Sequence, residues 1–263
     1  MTDLTPENFE TIIYDKGEDR VLSLILNRPQ RLNSFNQRMM DEIRAAWELF
    51  QRDPDLNAAV LSAAGDRAFC TGADMVDRMQ EFPDMPFDER DPAESLGPKH
   101  NMVWKPVITA VHGMCAGGAF YFLNESDMIL CSEDAQFFDP HVSFGLVSAC
   151  EPIGASHRMP YGEIMRMVLM GNDERIGADT ALRIGLVSQV VPRADLLTEA
   201  RRLAAKIAEK PTIATQGTVR AMWEALDMPY LAAVRNSYKY TQIGNRLSRL
   251  DRDKVTKATY TVR

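Results

Sequence analysis

Residues 105–145, KPVITAVHGMCAGGAFYFLNESDMILCSEDAQFFDPHVSFG, constrain the fold more than any other part of the chain. Val107, Ile108, Ala110 and Val111 form a short apolar run of the kind buried as a strand. The run breaks at Gly113, and Gly117-Gly118 precede a second apolar run, Ala119 to Leu123. The order is strand, glycine turn, then a helix starting against the turn. Without a Cβ at 117 and 118, a ligand or a second segment of backbone can approach closely. A helix N-terminus adds unpaired N–H donors and partial positive charge, which suit an oxygen that gains negative charge during a reaction. A plain tight turn with close helix–strand packing fits the glycine pair equally, and both readings stay open here.

Bulk properties narrow the function classes. A net charge of −7 and a pI near 5.2 argue against nucleic acid as the main partner. No run of about 18 or more apolar residues is present, so no membrane-spanning helix is expected. The opening MTDLTPENFE is acidic and polar, unlike a signal or transit peptide. Cys70, Cys115, Cys131 and Cys150 make no CxxC pair, and His100, His112, His141 and His157 show no metal-ligand spacing. A reduced, cytoplasmic protein with no metal is the expectation.

Along the chain, residues 11–26 read as a hairpin around Lys-Gly-Glu-Asp. Met40, Ile43, Trp47 and Phe50 recur at helical spacing, and Asp53-Pro54 closes that helix. A strand at Ala59–Leu61 leads to the small-residue loop AAGDRAFCTGADM. Residues 80–103, rich in Pro, Asp and Met, have no clean period and read either as a mobile excursion over a site or as an uninvolved surface loop. Met128–Leu130, Phe137-Phe138 and 182–191 read as further strands, and the chain is helical from Arg193 onward. There the stripes Leu197/Ala200/Leu203/Ala204/Ile207, Val219/Met222/Leu226 and Leu231/Val234/Tyr238/Leu247 read as core faces. Repeated strand–strand–helix units with a helical tail predict an α/β fold.

Five segments, in this order and spacing, resemble the enoyl-CoA hydratase/isomerase family, the crotonase superfamily. They are LILNRPQRLNSFN (24–36), RAFCTGADM (67–75), KPVITAVHGMCAGGAF (105–120), SDMILCSEDAQFFDP (126–140) and ALRIGLVSQVVP (181–192). The resemblance implies a spiral of ββα repeats over 1–192 carrying an acyl-CoA site. It also implies a helical C-terminal region over 193–263 that makes trimers or dimers of trimers. The implied substrate is an acyl-CoA thioester, with coenzyme A part of the substrate and no separate cofactor. Two backbone N–H groups, those of Ala73 and Gly117 by motif match, are implied to polarise the thioester carbonyl, and Gly118 adjoins them. Arg31, Leu32 and Ala68 are implied on the CoA side, with Arg31 facing a phosphate. Asp74 either belongs to that binding region or caps a helix starting near Met75. Met102, Trp104 and the 80–103 excursion are expected to shape the acyl pocket.

The chain departs from the family pattern where the chemistry is done. The positions of the two glutamates used by family hydratases match Phe120 and His141. Phe120 can neither give nor take a proton, and is kept only as a substrate-binding candidate. His141 titrates near working pH, and Glu151, ten residues on, is a candidate partner that orients or charges it. Asp139 reads as a turn ligand, and the basic stretch 245–263 as a tail that either reaches CoA or stays solvated. The leading expectation is a hydratase/isomerase-like enzyme that holds a thioester enolate. The alternatives are a C–C bond hydrolase of β-diketone or β-ketoacyl substrates and a non-catalytic acyl-CoA-binding member.

Overall fold

In the computed structural model, which describes residues 4–77, 91–247 and 260–262, the chain begins with the expected hairpin. β1 (Ile12–Lys16) and β2 (Val21–Leu26) pair antiparallel, Ile12 opposite Leu26. Leu22, Leu24 and Leu26 are buried while Ser23 and Ile25 are half-buried, the period-two alternation of a strand with one face on the core. α1 (Gln37–Arg52) starts at Asn36, whose side chain accepts the Met39 N–H at 3.0 Å. Met39, Met40, Ile43, Ala46, Trp47 and Phe50 face the core from it, and the Trp47 indole donates to the Leu96 carbonyl at 3.0 Å.

The next six strands alternate between two sheets. β3 (Ala58–Ala63) runs parallel to β2, and β4 (Ala68–Cys70) leaves for the second sheet. β5 (Val107–Val111) returns beside β3, and β6 (Met114–Ala116) pairs with β4. Gly113, at φ +56°, makes the corner between β5 and β6. A 3₁₀ turn, Gly117–Ala119, opens into α2 (Phe120–Asn124). β7 (Met128–Ser132) then joins β5, and β8 (Gln136–Phe138) joins β6. Each turn of chain thus adds one parallel strand to each sheet, which is the ββα spiral.

α3 (Cys150–Ala155) and α4 (Tyr161–Met170) follow, then β9 (Ile176–Gly177), antiparallel to β8. α5 (Ala178–Arg183) and β10 (Gln189–Val191), parallel to β7, complete the sheets. Among the described residues the strand orders are β1-β2-β3-β5-β7-β10 and β4-β6-β8-β9. The strand expected over 182–191 is confined to its last three residues. Ile184, Leu186 and Val187 are buried in the core after a short helix, and a short apolar run cannot by itself distinguish that from a strand.

α6 (Leu196–Ala208) lays Leu196, Ala200, Ala204 and Ala208 on Val21, Val60, Ile108 and Leu130 of the first sheet. The small alanines let the helix lie close to the strands. The first compact unit therefore runs through Glu209, and residues 210–263 form a second. In that second unit, α7 (Thr212–Ala225) and α8 (Tyr230–Leu247) pair as a hairpin. Glu224 on α7 accepts from the Tyr240 hydroxyl (2.5 Å) and the Asn236 amide (3.1 Å) on α8. The apolar stripes expected as core on these helices are exposed instead: Met222, Leu226, Leu231, Val234, Tyr238 and Leu247. A helical period marks an apolar face without saying what covers it. Of the 80–103 excursion, the part up to 90 lies outside the described residues, as does most of the basic tail.

Candidate functional site

Three loops of the first unit meet through backbone. The Phe35 N–H donates to the Gly72 carbonyl (2.9 Å), and the Asp74 N–H donates back to the Phe35 carbonyl (2.8 Å). This one-step parallel bridge between Phe35 and Ala73 uses the Gly72 carbonyl and the Asp74 N–H on either side of Ala73 and turns Ala73's own N–H to the far side. A Cβ on Gly72 (φ +84°) would lie 3.0 Å from the Gly118 nitrogen and 3.2 Å from the Ala116 oxygen. One on Gly118 would lie 2.7 Å from the buried Phe35 ring. The contact is one that only glycine permits, and it brings the loop of Ala73 against the loop of Gly117.

Gly117 has φ +51°, and a Cβ there would be 3.5 Å from both His141 Cε1 and Pro140 Cδ. The imidazole of His141 therefore lies directly beside the turn. His141 opens a 3₁₀ turn, His141–Phe144, that follows β8. Its Nδ1 is 2.6 Å from Asp139 Oδ1, and its backbone N–H donates to the same oxygen at 3.0 Å. Asp139 Oδ2 accepts from the Ser148 hydroxyl at 2.7 Å. On the other side of the ring, Nε2 stands 3.7 Å from Glu151 Oε1, within ion-pair range but longer than a hydrogen bond. Glu151 lies in the first turn of α3, which is tied to α2 where the Asn124 amide donates to the Glu151 carbonyl at 2.9 Å.

The three titratable groups are pulled in different directions. The hydrogen bond to Asp139 raises the His141 pKa above its ordinary value; partial burial opposes this, and the charges of Asp139 and Glu151 add to it. Burial works to raise the Asp139 carboxyl, but donation from His141 and Ser148 outweighs it and holds the group low. Glu151 is pushed up, first by burial, with the charges of Asp139 and Asp91 adding to the effect and that of His141 opposing it. Asp91 reaches this region from the described end of the excursion, where it accepts the hydroxyl of Tyr121 on α2. Among the described residues, no three His, Cys, Asp or Glu side chains are grouped to hold a metal ion.

The remaining candidates gather beside the frame. Arg31 closes a 3₁₀ turn, Pro29–Arg31, and is exposed; Leu32 and Asn33 follow with φ +54° each. Asn33 fixes that loop: its amide donates to the carbonyls of Ala64 and Ala68, both at 2.9 Å, and its oxygen accepts the Arg28 N–H at 2.8 Å. Ala68 is thus the buried wall against which the Arg31–Leu32 turn is pinned. Asp74 is occupied structurally, accepting from the Val76 and Asp77 N–H groups (3.0 Å each) and pairing with Arg28 at 3.0 Å. A helix starting near Met75 would lie mostly outside the described residues. Phe120 is fully buried in the core and Met102 is exposed, while the Trp104 N–H donates to Gln51 on α1.

With this geometry in place, the comparisons with known proteins identify the chain's relatives. The family model for enoyl-CoA hydratase/isomerase matches residues 16–245. The chain belongs to the enoyl-CoA hydratase/isomerase family. It is similar to the (E)-benzylidenesuccinyl-CoA hydratase of Thauera aromatica, 33% identical over 212 residues, covering 80% of this chain and 82% of that one. It is 35% identical over 214 residues to the mitochondrial enoyl-CoA hydratase of Pongo abelii, covering 78% and 70%. An enoyl-CoA hydratase/isomerase structure from Mycobacterium paratuberculosis superposes with a TM-score of 0.83 at 32% identity, covering 95% of both chains.

Within this enoyl-CoA hydratase/isomerase chain, the structure brings Gly117, Gly118, His141 and Glu151 to one place, and sets Ala73 on the loop packed against it. Sequence reading left Asp139 as a turn ligand and passed over Ser148. The signal for Asp139 was present in Asp-Pro-His: a carboxylate two residues before a histidine, with a proline stiffening the link. Nothing in the sequence marked Ser148, which joins only because the chain turns back at Gly145 (φ +75°).

Proposed function

We propose that the protein acts on acyl-CoA thioesters as an enoyl-CoA hydratase-like enzyme whose proton chemistry is carried by His141 and Glu151. The observation that carries this reading is the His141 imidazole, beside Gly117 on one edge and 3.7 Å from Glu151 on another. In this reading the Ala73 and Gly117 N–H groups donate to the thioester oxygen. One such donor is worth about 10²–10³ in rate when charge develops on that oxygen. His141 Nε2 takes a proton from water as the water oxygen bonds to the β-carbon. The alkene electron pair moves toward the thioester carbonyl and gives an enolate held by the two donors. Glu151, which burial favours in its protonated form, delivers a proton to the α-carbon. Transfer of the extra proton from His141 to Glu151 across their narrow gap restores both groups.

Phe120 occupies a position with no proton to offer and is buried, so its part is to wall the site. In this reading Arg31, exposed on its pinned turn, pairs with a CoA phosphate, and Leu32 and Ala68 belong to the same binding region. The reading needs no cofactor beyond the CoA carried by the substrate. Large apolar side chains exposed on α7 and α8 support assembly as a homotrimer or dimer of trimers. The free thiols of Cys70, Cys115, Cys131 and Cys150 fit a reducing compartment such as the cytoplasm, and among the described residues no helix is long and apolar enough to cross a membrane.

The test is turnover of crotonyl-CoA, followed by loss of the conjugated enoyl thioester, by the wild type and by His141→Ala and Glu151→Ala. Hydration lost in both variants supports the reading. Hydration unaffected by either one removes that residue from the chemistry. No hydration at all by the wild type removes simple hydration of this substrate.

A further inference from the structure

We infer that Asp139, held by Ser148, is a positioning residue that fixes the tautomer and the ring plane of His141. The inference rests on the reading of His141 as the proton-handling group, and deepens it. Asp139 is completely buried, yet its carboxylate has a donor for each oxygen: His141 Nδ1 and backbone N–H on Oδ1, and the Ser148 hydroxyl on Oδ2. A buried carboxylate with three donors is held ionised, and an ionised carboxylate can only accept. The proton of the Nδ1···Oδ1 contact, at 2.6 Å, therefore sits on Nδ1 of His141.

That leaves Nε2 as the basic nitrogen of the neutral ring, on the edge that meets Glu151. The opposite tautomer would set the Nδ1 lone pair against a buried anion and place a proton where a base is needed. Because the His141 backbone N–H binds the same oxygen as its own ring, the side chain is locked to its turn. Ser148 in turn anchors the far oxygen from nine residues along the chain. The ionisable groups facing this assembly are Glu151 against the ring, with Asp91, Tyr121 and Cys150 behind Glu151.

Ring-nitrogen NMR of the full-length protein, with His141→Ala assigning the signals, tests the inference without any need for turnover. In the wild type, neutral His141 is expected to carry its proton on Nδ1. Asp139→Asn is expected to lower the His141 pKa and to mix the two tautomers. In crotonyl-CoA hydration, Asp139→Asn is expected to lower kcat by about 10-fold or more, up to about 10⁴-fold, with KM changed by less than about threefold. The same variant moves the low-pH limb of the rate profile downward, and Asp139→Glu recovers part of the loss. Ser148→Ala leaves the carboxylate in place and is expected to show the same changes at smaller size, so a fold defect at 139 does not decide the outcome. A wild-type ring protonated on Nε2 would overturn the inference, as would Asp139→Asn and Ser148→Ala variants with unchanged titration and kcat. Should His141→Ala keep full hydration, the proposed function fails, and the ring titration alone still decides whether Asp139 fixes the imidazole.

Discussion

The loops around Gly72 and Gly117 and the segment from Asp139 to Glu151 meet at one site but are held by different means. The first region is backbone packed on backbone: the Phe35–Ala73 bridge, Gly72 against Gly118, and Gly118 under the Phe35 ring. The second is a chain of side chains, Ser148 to Asp139 to His141, with Glu151 across a 3.7 Å gap. The frame tolerates little substitution at Gly72 and Gly118, because a Cβ at Gly72 presses on main-chain atoms and one at Gly118 runs into the Phe35 ring. A side-chain relay can be rebuilt from other residues as long as a proton donor and acceptor reach the same spot. In the proposed reading, the difference teaches which half of such a site is free to change its chemistry: the half assigned to the carbonyl stays, and the half assigned to protons can be replaced.

Placing a glutamate at position 120 is the harshest way to break this comparison. Phe120 is fully buried, so Phe120→Glu removes a core aromatic and buries an unpaired carboxyl. The expected loss is about 3–5 kcal/mol in a urea titration, with no gain in hydration. A stable, faster Phe120→Glu enzyme would mean that the frame accepts a working carboxyl at that position. Next, His141→Ala is expected to lower kcat for crotonyl-CoA by about 10²–10⁴-fold and to lower the thermal midpoint, since buried Asp139 loses its ring donor while keeping the backbone N–H and the Ser148 hydroxyl.

The glycine positions sharpen the contrast within the frame. Gly72→Ala combines a positive φ with backbone contacts at 3.0 and 3.2 Å, and is expected to cost about 2–4 kcal/mol. Gly117→Ala meets only ordinary contacts at 3.5 Å and is expected to cost about 1–2 kcal/mol, from its φ alone. Equal losses at the two sites would show that loop packing does not set the frame.

The smallest effect is a pH dependence of stability from the relay. His141 has its pKa raised in the folded protein, so its contribution is fully present below 6.5 and is lost as pH rises through the raised value. Asp139 has its pKa lowered, so its contribution is present above 3.8 and is lost as pH falls through the lowered value. Urea midpoints of wild type and Asp139→Asn are thus expected to differ most between these limits, and the difference to shrink as pH rises through the raised His141 value and again as pH falls through the lowered Asp139 value.

Much of the fold was legible in the sequence because its signals are local. The hairpin, the α1 stripe ending at Phe50, the strand at 107–111 and the glycine turn at 117–118 all stand where their residues place them. The reading failed where an apolar pattern needed a partner to interpret it. Ile184, Leu186 and Val187 are core residues outside a strand, and Met222, Leu231 and Val234 are exposed faces outside the core. At the site, the glycine frame could be read because glycine is demanded by the backbone itself. Asp139 had a local signal in Asp-Pro-His, whereas Ser148 had none, because its role depends on a turn at 141–145 that returns position 148 to position 139.

The central claim is that the carbonyl-binding frame is served by a proton group placed at His141. Hydration of crotonyl-CoA in ¹⁸O-labelled water measures this directly, since in the proposed reading His141 activates the water that bonds to the β-carbon. The wild type is expected to incorporate the label at the β-carbon, and His141→Ala, with its fold intact by circular dichroism, is expected to fall to the uncatalysed rate. Incorporation by His141→Ala at the wild-type rate would contradict the account.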